Sequence, residues 1–119
     1  MKRRINPADG SLALAQWRRA PETTDRRTLA TAVRYCLEEL GTRAEGNSVE
    51  VRVPPFGVTQ CVPGPRHTRG TPPNVVETDA GTWLALATGA ETWASAVAEG
   101  TVAASGTRTD LSAWLPLFG

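Results

Sequence analysis

The chain has 119 residues, enough for one domain with a single core and too few for two. Its 13 basic and 12 acidic residues nearly cancel, so no net field selects nucleic acid or an anionic membrane surface as a partner. No apolar run approaches the roughly 18 residues of a membrane span, and the basic start Met1-Lys2-Arg3-Arg4 is not followed by the apolar core of a signal peptide, so the expected location is cytoplasmic, without stable membrane insertion.

Asn6-Pro7-Ala8-Asp9 reads as a helix start, with Asn6 as N-cap, proline at the tolerated first position and Asp9 near the positive helix end. Gly10 weakens this helix, Ala13, Leu14 and Trp17 give it one apolar face, and Pro21 stops it. Residues 1–22 are therefore expected to form a helical extension lying over the domain. The second helix is predicted from a cap at Thr24 or Asp25 to Gly41, because Leu29, Val33, Cys36, Leu37 and Leu40 recur every three or four residues. Its other face carries Arg26, Arg27, Arg34, Glu38 and Glu39, an ordinary solvated pattern.

Val49, Val51 and Val53 alternate with Ser48, Glu50 and Arg52, the period of a half-buried strand. Pro54-Pro55-Phe56-Gly57 is turn chemistry, and Val58 to Val62 returns antiparallel, beginning a meander. Pro63 to Pro73 holds four prolines and two glycines in eleven positions, which excludes a helix or a central strand. Asn74 to Thr78 and Thr101 to Ser105 are a third and a fourth strand, the fourth expected to join the sheet beyond its sequence neighbours. Between them lie two short helices, closed by Gly89 and Gly100, since glycine takes the left-handed conformation of a C-cap at no Cβ cost. Gly106 ends the fourth strand, and Thr107 with Asp110 predicts a final capped helix. The sum is one α+β domain, residues 1–119, with an antiparallel-rich sheet of four to five strands covered mainly on one face by helices.

The run from Asp79 through Trp83, Leu84 and Leu86 to Gly89, then Trp93 and Val97 to Gly100, then Thr101 to Gly106, resembles the C-terminal half of the sterol carrier protein family. With Asn47 to Gly57 and Gly64 to Thr78 upstream, the chain is similar to a compact bacterial branch of that family over about Asp25 to Leu115. The resemblance implies a sterol-carrier-like fold with one strand fewer than usual, the deficit falling at the proline-rich loop. It also implies helices that roof a hydrophobic tunnel, and by position Trp83, Leu84, Trp93, Val97, Leu115 and Phe118 are the candidate apolar lining. A filled core is the plainer role for each of them, because a small domain has few other large side chains.

His67 is the only histidine, and on its proline-stiffened loop Arg66, His67 and Arg69 are candidates to meet the polar head of a ligand or another anion. Pairing with Glu77, Asp79 or the loop's own carbonyls is the alternative. Cys36 and Cys61 suit small buried hydrophobes better than a disulfide scaffold or a redox site. No nucleophile elbow, zinc-ligand spacing or glycine-rich phosphate loop occurs, so no cofactor or metal is expected, and an enzyme would have to rest on His67.

The leading expectation is a non-catalytic binding or carrier domain for a hydrophobic or amphipathic molecule, whether lipid, sterol or acyl chain, in a cavity between sheet and helices. The alternative is an accessory interaction domain with a filled cavity, paired with another protein or with a second copy. Asp25 to Pro55 is also similar to the C-terminal domain of mycothiol-dependent maleylpyruvate isomerases, whose metal-bearing helical domain these residues do not contain.

Overall fold

A computed structural model describes residues 3–64 and 74–119. In chain order the elements are α1 (Pro7–Arg19), α2 (Arg26–Arg43), β1 (Val49–Val53), β2 (Gly57–Cys61), β3 (Val75–Thr78), α3 (Ala80–Thr88), α4 (Trp93–Glu99) and β4 (Val102–Ser105). The strands form a mixed sheet in the order β2-β1-β3-β4, so the α+β class and the sterol-carrier-like architecture hold. One side of the sheet is buried through Val49, Val51, Val53, Thr59, Cys61, Val76, Thr78 and Val102. The other side carries Glu50, Arg52, Val58, Gln60, Glu77 and Ala103, all at least partly exposed.

Local chemistry sets most boundaries. Asn6 caps α1 by accepting the Ala8 N–H at 2.8 Å, Asp25 caps α2 through Thr28 N at 2.7 Å, and Asp79 caps α3 through Thr82 N at 2.8 Å. Gly89 (φ 84°) and Gly100 (φ 77°) close α3 and α4 in the left-handed conformation, as their positions required. The second helix runs past Gly41 to Arg43, and the Ala44 N–H still reaches Leu40 O at 2.8 Å.

Pairing departs from a meander. The β1–β2 hairpin is antiparallel, but β3 lies on the other side of β1 and runs parallel to it, and β4 sits antiparallel beside β3, next to its neighbour in sequence. Alternation says which face of a strand is buried, not which strand lies beside it, so the order was open to this outcome. Asn74 fixes the re-entry into β3: its Nδ2 donates to Ser48 O at 2.8 Å, and its Oδ1 accepts from Arg108 N at 2.9 Å.

The predicted final helix is a single turn. Trp114 N and Leu115 N both donate to Leu111 O, at 3.0 and 3.2 Å. The cap is Asp110, accepting from Ser112 N at 2.9 Å, in place of Thr107. Pro116 has no N–H to donate and its ring clashes with the carbonyl four residues back, so the helix cannot propagate. Past it the tail folds back, with Leu117 N and Phe118 N donating to Ala87 O at 2.9 and 2.8 Å.

The first helix is part of the core: Gly10, Ala13, Leu14 and Trp17 are buried against α2. Gly10 is there because the ring of Tyr35 lies flat on that turn, and a Cβ would fall inside it. Adding that methyl overpacks the joint. Gly10→Ala is expected to destabilise the domain by about 1–3 kcal/mol, read as a lower melting temperature together with a changed near-ultraviolet tyrosine signal; an unchanged melt would show that α1 does not bear on Tyr35.

Candidate functional site

The six apolar residues assigned to a tunnel wall lie in three different environments. Trp83 and Leu84 are in the core, 1% and 0% exposed, and the Trp83 indole donates to Val33 O at 3.3 Å. Trp93 and Leu115 are half-buried against that core. Phe118 is half-buried too, its ring stacked on Tyr35 with centroids 5.3 Å apart and the Arg43 guanidinium 5.4 Å from its centre. Val97 faces outward from α4, 45% exposed. The polar trio Arg66, His67 and Arg69 lies outside the described residues.

A hollow opens where the N-terminal segment and α2 meet the start of β2. It is a groove of about 800 Å3 lined by Ile5, Leu37, Phe56 and Val58, with Arg4, Arg34 and Glu38 among its polar members. Ile5 and Phe56 are half-buried, and Leu37 is buried. A shallower trough of about 380 Å3 runs between α1 and α2, beside exposed Leu12. A third hollow, about 410 Å3, lies along β2 beside Gly41, Glu45, Thr59 and Gln60.

The polar face of α2 builds the groove. Glu38 is only 7% exposed, and one of its carboxylate oxygens accepts the backbone N–H groups of both Arg4 and Ile5 at 3.1 Å. Glu39, one residue on, pairs with Arg3 and with Arg43. Burial pushes the Glu39 carboxyl up, but the hydrogen bonds from Arg3 and Arg43 outweigh it and hold the group below its ordinary range. On the hairpin side Arg34 Nε donates to Phe56 O at 2.7 Å, and the Arg26 guanidinium stands 5.4 Å from the Phe56 ring centre. Of the side chains expected to be solvated, Glu38 is buried, while Arg26 and Arg34 stay exposed as they meet the hairpin. Nothing in the helical period marks them, because their partners arrive from residues 4–5 and 56. The available signal was apolar residues without a stripe: Ile5, Phe56 and Val58.

Chemically the groove offers apolar walls, two guanidiniums and a carboxylate already engaged by backbone donors, which suits binding more than bond-making. Among the described residues no three His, Cys, Asp or Glu side chains gather as a metal site. No described helix is long and apolar enough to cross a membrane. A family model described as bacterial SCP ortholog matches residues 25–117, and the chain belongs to that sterol carrier protein-like family. No curated protein matches it. The matched span begins at the cap of α2, so the groove joins a wall inside it, α2 and β2, to one outside it, residues 4–5.

Both cysteines are free and buried, and burial pushes each thiol up to about 12 from an ordinary 9.0. Between those values the folded state holds protons that the unfolded chain releases, so stability falls as pH rises from about 9 to about 12. A thiol reagent at neutral pH should label neither cysteine in the native protein and both in denaturant, and a Cys36→Ala/Cys61→Ala variant should lose part of the alkaline fall in melting temperature. Rapid labelling of the native protein would contradict this burial.

Proposed function

We propose that this domain is a non-catalytic carrier for a small amphipathic molecule, bound in the groove between residues 4–5, α2 and β2. The observation that carries the reading is the groove itself, whose volume of about 800 Å3 falls within the size range of small-molecule sites. Ile5, Leu37 and Phe56 take the apolar body of the ligand out of water, and burying it supplies most of the affinity. Arg4 and Arg34 meet an anionic or strongly polar head, where a guanidinium can bond a carboxylate through two donors. Membership of the sterol carrier protein-like family supports a binding role over turnover.

In this reading Trp83 and Leu84 keep the interior full, and the ligand sits at the rim of the core. The late-helix set of Trp93, Val97, Leu115 and Phe118 would serve as a wall only if the tail lifted from Ala87, which requires breaking the bonds from Leu117 and Phe118. Arg66, His67 and Arg69 are a further candidate contact for the head group.

Titration with the fluorescent fatty acid cis-parinarate should give saturable binding of one molecule per chain. Phe56→Ala is expected to weaken it about tenfold, corresponding to roughly 1.5 kcal/mol of lost apolar burial, while Trp93→Phe leaves it unchanged. Absence of saturable binding would contradict the carrier reading. Sensitivity to Trp93→Phe with none to Phe56→Ala would place the ligand under the late helices.

A further inference from the structure

We propose that two copies of this chain pair through the outer edge of β2, antiparallel and two-fold about Thr59, to join their sheets. This goes beyond the binding reading and does not depend on it.

The Glu50 N–H donates to Asn74 O at 3.0 Å, toward β3. A strand residue points its N–H and C=O to the same side, and in an antiparallel pair the bonded positions alternate. Val49, Val51 and Val53 therefore bond to Cys61, Thr59 and Gly57, and Val58 and Gln60 turn their backbone groups outward. Among the described residues no strand pairs with that side. Natural edges are commonly protected by charge, proline or a bulge. The edge Gly57-Val58-Thr59-Gln60-Cys61 contains no charged residue and no proline, it pairs with β1 residue for residue, and Val58 is 56% exposed.

Thr59 supplies the second observation. It is 5% exposed, yet its hydroxyl has no hydrogen-bond partner, and the residue lines the hollow beside this edge. A buried polar atom left unpaired costs stability, so it marks a place where a partner is missing. Two-fold pairing centred on Thr59 brings Val58 of each copy opposite Gln60 of the other, where their outward backbone groups exchange hydrogen bonds. Thr59 then faces Thr59 at the position where antiparallel side chains come closest, and a rotamer change lets the two hydroxyls bond.

Charge selects a second copy over an arbitrary strand. The hollow at Gly57 and Val58 holds Arg4, Arg34 and the backbone-bonded Glu38, whereas the hollow spanning Val58, Thr59 and Gln60 holds Glu45. Antiparallel pairing sets the arginine end of one copy against the Glu45 end of the other, twice. The opposite edge, β4, is also uncharged, but none of its described residues carries an unpartnered buried side-chain polar atom.

Sedimentation equilibrium of the full chain without ligand should show a monomer–dimer equilibrium. Gln60→Pro, which removes one outward N–H and is tolerated at an edge, should weaken dimerisation at least about tenfold with circular dichroism and melting unchanged. Arg34→Glu and Glu45→Arg should each weaken it, and the double variant should restore it. Thr59→Cys should form a covalent dimer under mild oxidation, a readout that stands even if Gln60→Pro fails to fold. A chain monomeric at every concentration overturns the proposal. A dimer indifferent to the charge exchange and not cross-linked through Thr59→Cys overturns it equally.

Discussion

Glu38 sits on α2 under the N-terminal segment, where its carboxylate has left water and accepts two backbone N–H groups in exchange. A carboxylate this buried is tolerable only when such donors replace its hydration. The donors belong to Arg4 and Ile5, so satisfying the charge also fixes where residues 4–5 lie. Their position makes one wall of the groove, with Leu37 on α2 and Phe56 in the hairpin as the others. Were the segment free, the site would be an open helix face. The neighbouring pair of Glu39 with Arg3 is more exposed and contributes less.

The rest of the fold places these walls. α2 packs against β2, with Val33, Cys36 and Leu40 of its stripe wholly buried. Behind α2 the interior is filled by Trp83, Leu84 and Leu86 from α3, closed by Leu111 and Leu117. Tyr35 couples the two ends of the chain, because Gly10 of α1 lies on its ring and Phe118 of the tail stacks against it. The N-terminal segment is thus held by packing on α2 as well as by Glu38. A groove at the rim offers apolar surface while Trp83, Leu84 and Leu86 stay buried.

Much of this architecture was legible locally. Asp25, Gly89 and Gly100 mark helix ends through the chemistry of a cap, which depends on a few adjacent residues. The valine alternation of β1 marks its buried face for the same reason. Other features were not legible. The last helix failed because Pro116 outweighed a plausible cap, and β3 took the far side of β1 because burial pattern does not encode strand order. The groove was hidden more deeply: Ile5, Leu37 and Phe56 come from three separate segments, and the role of Glu38 exists only once the first of these folds onto α2. A charged side chain reads as solvated until its partners are known.

The proposed binding puts the ligand in the rim groove, with Trp83 and Leu84 buried behind it. Amide and indole chemical shifts, followed by nuclear magnetic resonance while a medium-chain fatty acid is added, test it most directly. Binding in the groove is expected to concentrate shifts at Ile5, Leu37, Phe56 and Val58, with the Trp83 indole unmoved at Val33 O. Shifts confined to Trp83, Trp93 and Phe118 would contradict it.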